Sequence, residues 1–310
     1  MDGVRNGLGE HSEVMFSLDG KPQENSGRVI GAVLCWGGRT KIRIDSDDTY
    51  GSHVHHVFAG MNEEASEYKL EPREVFTTPK LALTYSCEGL GEASRNLHRW
   101  ARMGMVYSCD KPRDILLNSW EGVYLNIKEQ EMDQMMKDFA AMGGELFVMD
   151  DGWFGNKYRR IQDNSSLGDW VVDTQKLPHG IKGLTDTAKK YGIKFGIWIE
   201  PEFTNTKSEL VEKHPDWVLR SMNRELMCGR GGTQVVLDLC NPKVQDFVFS
   251  VVDGLLSKNP EIAYIKWDAN GEIMNYGSSY LPKDKQSHIY IDYHRGLIMY
   301  WKGFALNTLM

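Results

Sequence analysis

The sequence predicts two parts of different fold class, a partial antiparallel β-sandwich followed by an incomplete (β/α)8 TIM barrel. Before residue 113, short runs of β-forming residues are separated by turns, as is typical of antiparallel sheets. After it, predicted strands and helices alternate, which favours a parallel sheet covered by helices. The predicted parts are 1–92 for the sandwich, 93–113 for a connecting helix and linker, and 114–310 for the barrel.

The composition is that of a globular protein and excludes several other classes. The chain has 310 residues, and its nine Trp, thirteen Tyr and eleven Phe need a core. No apolar run approaches the roughly 18 residues of a membrane span. The net charge is −7 and the basic residues are scattered singly, which argues against a nucleic-acid partner. The five Cys form no CxxC pair, so neither a disulfide framework nor a zinc site is predicted.

The first part contains short runs that are typical of strands. In one of them Thr40, Ile42 and Ile44 alternate with charged residues, which predicts one buried and one solvated face. Nearby, His53, His55 and His56 form a cluster that is either a metal site or a group of loop histidines at an oligomer contact. The predicted strands here are 29–34, 39–44 and 80–85.

The second part contains about five of the eight strands of a barrel. No Gly-rich phosphate loop follows any of them, which argues against a nucleotide-binding fold. A complete barrel takes about 250 residues, more than 114–310 supplies. The predicted strands are 115–120, 145–150, 193–198, 234–239 and 262–267.

Carboxylates and aromatic residues follow these strands, where barrels collect their function. Asp150 and Asp151 follow the second strand, Glu200 and Glu202 the third, and Asp268 the fifth. Carboxylates bind sugar hydroxyls and indole faces stack on sugar rings, so this pattern predicts a sugar site. A metal site at the paired aspartates is the alternative, but no His or further Asp stands next to the pair to complete it.

The fifth strand indicates the chemistry. Lys266 and Asp268 are two residues apart and share a face, so Lys266 is expected beside Asp268, where its charge keeps the carboxylate ionised. Such a carboxylate can attack an anomeric carbon, although a structural ion pair is the alternative. Glu200 and Glu202 are the second candidate for an acid/base pair, or structural residues at a strand that ends at Pro201.

Four segments in chain order resemble the glycoside hydrolase family 36 α-galactosidases. The resemblance runs from about residue 36 to residue 298. It implies an exo-acting, retaining hydrolase that releases terminal α-linked galactose from oligosaccharides such as melibiose and raffinose, without metal or organic cofactor. The segments are 150–155 (DDGWFG), 196–202 (GIWIEPE), 236–239 (VLDL) and 266–270 (KWDAN).

The resemblance also implies a role for individual residues. Asp268 matches the nucleophile that forms the covalent glycosyl-enzyme. It implies an N-terminal β-supersandwich, a C-terminal β domain and, in many members, a tetramer. The matched substrate-binding residues are Asp150 and Asp151 for the galactose 4- and 6-hydroxyls, Lys266 and Arg230 as further galactose contacts, and Trp120 and Trp198 as subsite walls. From the residues alone, Arg230 between glycines is either a solvated loop cation or a group that reaches back to the sugar.

The chain departs from the family pattern at its ends. The family's general acid/base is an Asp on strand six, and no residue here matches it, so the chain alone is expected to be inactive. The tail 299–310 does not fit the family and one shifted reading gives an amphipathic helix, so a frameshift or truncated gene is expected. The start resembles the interior of the family's first domain, so a leader is not excluded and no compartment is predicted.

Two other functions stay open from the sequence. One is a non-catalytic remnant that binds galactose weakly. The other is a relative that transfers galactose between sugars, as raffinose and stachyose synthases do. Gly271 stands where an Arg often follows the Asn in the family, so the shape of the outer pocket and the leaving-group preference stay open.

Overall fold

The chain divides into two compact units, Met1–Pro112 and Arg113–Met310. The computed structural model describes Val4, residues 11–48, Gly51 and residues 54–308.

The first unit is built from antiparallel strands and one helix. Strands β1, β2 and β5 form a three-stranded sheet with β2 in the middle, and β3 and β4 form a separate hairpin. Helix α1 packs on β2 and β5, with Ala93 fully buried. The elements are β1 (Glu13–Ser17), β2 (Val29–Leu34), β3 (Thr40–Asp47), β4 (Val54–Met61), β5 (Leu81–Ser86) and α1 (Gly89–Gly104).

The alternation in β3 does not produce the buried face that it predicts. Thr40 is buried, but Ile44 is 52% exposed, and Val57 and Phe58 on the paired strand β4 are 48% and 50% exposed. The prediction for Ile44 is therefore wrong. Among the described residues this hairpin pairs with no third strand, so alternation alone does not bury a residue at its far end.

The second unit contains a four-stranded parallel sheet in the order β11-β8-β7-β6. All four residues of β7 are buried, as expected for a parallel strand covered on both faces. The elements are β6 (Leu116–Asn118), α2 (Trp120–Val123), α3 (Glu129–Ala141), β7 (Leu146–Met149), α4 (Gly180–Lys190), β8 (Lys194–Ile199), β9 (Phe203–Asn205), α5 (Glu209–Lys213), β10 (Gln234–Val236), α6 (Pro242–Lys258), β11 (Ile262–Trp267) and α7 (Ile289–Thr308).

The strand predicted at 234–239 does not join this sheet. Its first half is β10, which pairs antiparallel with β9. Strand β8 already has β7 on one side and β11 on the other, so no place is left for β10 beside it. Asp268 therefore follows the fourth strand that the parallel sheet has within the described residues, and the prediction of 234–239 as a strand of the barrel is wrong. The apolar run 235–237 is buried in either arrangement, which is why its composition does not reveal the pairing.

The C-terminal helix α7 extends into the tail 299–310. The side chains of 299–308 and all of 309–310 lie outside the described residues, as does His53. Among the helices of the described residues, none is long and apolar enough to cross a membrane.

Buried side chains of the parallel sheet should contribute strongly to the stability of the second unit. Ile197 lies in β8 opposite Met149 and Ile265 and is fully buried. Ile197→Ala removes buried carbon atoms and leaves a cavity, so we expect the free energy of unfolding to fall by about 2–5 kcal/mol. Ile161→Ala is the matched control, because Ile161 is 62% exposed, and should change it by less than about 0.5 kcal/mol. Urea unfolding of both variants measures the difference, and equal losses would contradict the prediction.

Candidate active site

The predicted site residues lie at the carboxyl end of the parallel sheet. Asp150 and Asp151 follow β7, Trp198 lies near the end of β8, and Asp268 follows β11. Trp120 begins α2 directly after β6. Because the four strands are parallel, these positions meet at one edge of the sheet, and hydrogen bonds connect most of them.

Asp150 accepts hydrogen bonds from side chains of two other strands, β6 and β11. Its Oδ2 accepts hydrogen bonds from Lys266 Nζ at 2.8 Å and from Asn118 Nδ2 at 2.7 Å. Lys266 therefore makes its hydrogen bond to Asp150 and not to Asp268, although its charge also helps to lower the pKa of Asp268, as expected. Asn118 also accepts a bond from the Trp120 backbone N–H at 2.8 Å through its Oδ1, which joins α2 to the same cluster.

Asp151 is held by an arginine that the sequence did not indicate. Arg160 donates from Nε to Oδ1 at 3.0 Å and from Nη2 to Oδ2 at 2.6 Å, a bidentate pair in which both residues are buried. Burial raises the pKa of Asp151 even though the hydrogen bonds and charge of Arg160 oppose the shift. The Asp151 backbone N–H donates to Asp150 Oδ1 at 2.8 Å, which fixes the two carboxylates relative to one another.

A glycine makes the turn that lets both aspartates face inward. Gly152 has φ +111°, and a Cβ there would lie 2.8 Å from the Leu125 carbonyl oxygen. A side chain at this position would therefore meet both backbone strain and a clash. Successive residues of a straight strand face opposite ways, so the two adjacent carboxylates need this departure from extended geometry.

Arg230 is linked to the paired aspartates indirectly, through Asp163 and Arg160. It begins a short 3₁₀ turn, and its Nη2 lies 3.3 Å from Asp163 Oδ2. Asp163 also accepts a bond from Arg160 Nη2 at 3.0 Å. The side chain of Arg230 is 44% exposed, so its guanidinium is open to solvent as well as to Asp163.

Asp268 is half-buried and held mainly through one oxygen. Its Oδ2 accepts bonds from Trp198 Nε1 at 2.9 Å and Asn270 Nδ2 at 2.5 Å, and its Oδ1 accepts the Ala269 backbone N–H at 2.9 Å. Burial raises the pKa of Asp268, but these hydrogen bonds and the nearby charge of Lys266 outweigh it, so the net effect lowers the pKa. The carboxylate is therefore ionised at neutral pH, as the sequence predicts, mainly through these donors.

The two predicted tryptophans lie in different environments. Trp198 is 2% exposed, and its ring packs with Phe154 and Trp170 while its Nε1 holds Asp268. Trp120 is partly exposed at the start of α2 and meets Tyr124 edge to face. Trp120 is thus the one of the pair with more ring surface available to a ligand.

The glutamates Glu200 and Glu202 are engaged in separate hydrogen bonds within the protein. Both are 1% exposed and bind different partners. Glu200 Oε1 accepts the Asn270 backbone N–H at 2.5 Å, whereas Glu202 accepts bonds from Trp267 Nε1 at 3.0 Å and Tyr293 Oη at 2.9 Å. Burial raises the pKa of Glu200 to about 7, with the charges of Asp268 and Asp151 adding to the shift. Their observed role is to hold β11 and the segment that follows it.

Other candidate sites lie away from this cluster. Within the described residues no group of three or more His, Cys, Asp or Glu is placed to hold a metal ion. His55 Nδ1 lies 2.9 Å from Ser46 Oγ, and the third member of the histidine cluster falls outside the described part. A cavity of about 680 Å³ is lined by loop residues after β7 and by residues of α4, α5 and α6, and none of the seven predicted site residues lines it.

Sequence reasoning missed four residues that shape the site: Arg160, Asp163, Asn118 and Asn270. A charge count could have pointed to Arg160, because two adjacent carboxylates at a buried strand end need two cations and Lys266 supplies one. Asn270 lies in the 266–270 segment and was overlooked beside its acidic neighbour. Gly271 is constrained for a separate reason, because a Cβ there would lie 2.4 Å from Phe203 Cε1.

Comparison with known proteins agrees with the predicted resemblance. The family model described as melibiase matches residues 75–304. The chain belongs to the melibiase family. The resemblance to family 36 α-galactosidases is thereby confirmed, and this melibiase chain is 36% identical over 297 residues to α-galactosidase AgaA of Geobacillus stearothermophilus, covering 94% of this chain.

Solved structures of the family superpose on nearly the whole chain. The family 36 α-galactosidase AgaB of Geobacillus stearothermophilus has a TM-score of 0.88 at 34% identity over 96% of this chain and 40% of that one. A variant of AgaA in complex with 1-deoxygalactonojirimycin has a TM-score of 0.87 at 33% identity over 94% of this chain and 39% of that one. AgaA variants have also been solved with stachyose and with raffinose. The chain spans about 40% of the length of these relatives.

The Arg160–Asp151 pair should be essential to the stability of the melibiase fold around the site. Arg160→Met leaves Asp151 buried without a cation, so we expect the free energy of unfolding to fall by about 3–5 kcal/mol. Arg224→Met is the matched control, since Arg224 is exposed, and should cost less than about 0.5 kcal/mol. Adding Asp151→Asn to Arg160→Met should recover part of the loss. Denaturant unfolding of the set measures these free energies. A loss for Arg160→Met no larger than that for Arg224→Met would refute the prediction.

Glu200 should make stability depend on pH between its unfolded and folded pKa values. The folded pKa of about 7 lies above the ordinary 4.5, so the native state binds the extra proton in this range and its stability falls as pH rises. Relative to that of Glu200→Gln, the free energy of unfolding of the wild type should fall by about 3 kcal/mol between pH 4.5 and pH 7.5. Glu225→Gln, at an exposed glutamate, should show no such trend. Urea unfolding across this pH range decides it, and a flat difference for Glu200→Gln would count against the prediction.

Proposed function

We propose that this chain carries the galactose-binding site and the nucleophile of a retaining, exo-acting α-galactosidase. Asp268 would attack the anomeric carbon of a terminal α-linked galactose and form a covalent glycosyl-enzyme, as in family 36. The substrates would be oligosaccharides such as melibiose and raffinose. The raffinose and stachyose complexes of AgaA support this substrate class.

The observation that carries the proposal is the state of Asp268. A carboxylate is nucleophilic when it is ionised, oriented and still able to reach its target. Trp198 and Asn270 bind Oδ2, whereas Oδ1 accepts a bond only from the adjacent Ala269 backbone N–H among the contacts described. Oδ1 is therefore the oxygen that we assign to the attack on the anomeric carbon.

The remaining predicted residues would bind the galactose ring. Asp150 and Asp151 present carboxylate oxygens that can accept bonds from the 4- and 6-hydroxyls. Lys266, which already binds Asp150, and Arg230, which is partly exposed, would supply donors to further ring oxygens. Trp120 would flank the sugar with its ring. We assign no role to a metal or organic cofactor.

The proton donor of the reaction is not assigned to any of these carboxyl groups. Asp150 and Asp151 are bound by Lys266 and Arg160, and the buried Glu200 accepts the Asn270 backbone N–H. Each carboxyl is committed to partners within the protein. We therefore propose that this chain alone turns over natural galactosides negligibly.

The fold proposed for the whole protein follows the family. The four parallel strands with α3, α4 and α6 between them would be part of a (β/α)8 barrel, and the antiparallel sheets of the first unit part of a β-supersandwich. A homotetramer is proposed on the same ground. The parallel sheet supports the barrel assignment, because each of β7, β8 and β11 is preceded by a helix.

Covalent trapping tests the nucleophile without needing a proton donor. An α-galactosyl fluoride with a second fluorine at C5 has a leaving group that departs unprotonated, and the second fluorine slows hydrolysis of the adduct. We expect the intact mass to rise by one fluorogalactosyl group, with peptide mapping placing it on Asp268. Asp268→Asn should remain unlabelled, and Asp253→Asn, at an exposed aspartate of α6, should label as the wild type does.

The same reagents separate the alternatives. A galactose-binding remnant would bind 1-deoxygalactonojirimycin but take up no label. A galactosyl-transferring relative would be labelled and, given sucrose, would pass galactose to the sugar rather than to water. The corresponding glucosyl fluoride should label poorly, because the 4-hydroxyl then points away from the paired aspartates. Labelling of Asp268→Asn at the wild-type rate would overturn the nucleophile assignment.

A further inference from the structure

A buried lysine outside the predicted site connects three of the segments that form it. Lys176 is 9% exposed and its ammonium makes three hydrogen bonds to backbone carbonyl oxygens. It donates to Leu125 O at 2.8 Å, Gly152 O at 2.6 Å and Arg160 O at 2.7 Å. An ammonium has three N–H donors, so its hydrogen-bonding capacity is fully used. We call Lys176 and these three carbonyls the loop anchor.

The loop anchor brings together groups that would otherwise repel one another. Three carbonyl oxygens point at one nitrogen, and without a donor their partial negative charges would face each other away from water. The backbone is already crowded there, because a Cβ on Gly152 would lie 2.8 Å from Leu125 O and 2.9 Å from Leu125 Cα. Hydrogen-bond donors are therefore needed at this point for these segments to approach as closely as they do, and the Lys176 ammonium supplies three.

Each carbonyl belongs to a segment that carries a site residue. Gly152 directly follows Asp151, and Arg160 is the residue whose guanidinium binds the Asp151 carboxylate. Leu125 follows α2, which begins with Trp120. The loop anchor thus fixes the backbone on both sides of the Asp151–Arg160 pair and the position of α2 beside it.

Lys176 is itself held firmly by its neighbours. Asp173 Oδ1 accepts the Gln175 backbone N–H at 2.9 Å, and the Asp173 backbone N–H donates to Trp153 O at 2.9 Å. The Lys176 carbonyl accepts the Glu129 backbone N–H at 3.0 Å, which ties the turn to the start of α3. The lysine therefore projects from a turn that is fixed at both sides.

The charge state of Lys176 agrees with this role. Burial lowers its pKa to about 8, and Arg159 and Arg160 add to the shift while Asp173 and Asp151 oppose it. The side chain is therefore an ammonium at neutral pH, and all three donors are available to the carbonyls.

We propose that Lys176 is a positioning residue for the galactose site, because its three backbone contacts hold Gly152 and Arg160 in the arrangement in which Arg160 can bind Asp151. This rests on the proposed function for the identity of the ligand, but the loop anchor itself does not. Lys176 does not touch the sugar and acts through Asp151 and α2.

Ligand affinity tests the positioning role. The variants are Lys176→Met, which removes the donors, and Lys176→Arg, which keeps a charge and donors on a longer group. Val248→Ala, a fully buried change in α6, controls for loss of stability alone. Calorimetric titration with 1-deoxygalactonojirimycin, at a temperature where each variant is folded, should show an affinity at least about tenfold weaker for Lys176→Met. Lys176→Arg should lie in between and Val248→Ala within about twofold of wild type.

Amide hydrogen exchange tests the loop anchor independently of any ligand. We expect faster exchange at 120–126 and 150–163 in Lys176→Met than in Val248→Ala, after both are compared with wild type. Wild-type affinity or unchanged exchange in Lys176→Met overturns the proposal. If wild type fails to bind the iminosugar, the proposed function fails, and exchange still decides whether the anchor exists. If Lys176→Met does not fold, Lys176→Arg replaces it in both measurements.

Discussion

Two adjacent carboxylates are buried at the end of β7, and this constraint organises the rest of the site. Asp150 and Asp151 are 3% and 4% exposed, and an unpaired charge in such a place costs several kcal/mol. Each therefore needs a cation from another element. Lys266 comes from β11, which lies two strands away across β8, and Arg160 from the loop after β7, so electrostatics fixes where the strand ends and loops must lie.

This division of cations also explains why Asp268 keeps its charge accessible. Lys266 is committed to Asp150, so Asp268 is held by the neutral donors Trp198 and Asn270. Neutral donors lower the pKa of a carboxylate and orient it without forming a direct ion pair with it. A carboxylate held in this way is suited to forming a bond with an electron-poor carbon.

The parts of this arrangement that are local in sequence could be predicted. Strand ends followed by acidic residues at 150 and 268 stand out because the signal lies within a few residues. The partner of Lys266 could not be predicted, since Lys266 and Asp150 are 116 positions apart and both aspartates were plausible neighbours. Arg160 and Lys176 lie in irregular loops without periodicity, so their roles emerge only when three segments meet in space. The prediction for β10 was wrong for a similar reason, because an apolar run does not indicate which strand it pairs with.

Glu200, which follows β8, and Asp268, which follows β11, have pKa shifts of opposite direction. The surroundings of each carboxyl group cause the difference. The described hydrogen-bond partners of Glu200 are the Asn270 backbone N–H and the Gln234 amide, and its full burial raises the pKa to about 7. Asp268 is half-buried with three donors, which lowers its pKa. Environments that separate the pKa values of neighbouring carboxyls separate their roles. Glu200 thus supports the chain that carries Asn270, and Asp268 is left as the charged carboxylate of the two.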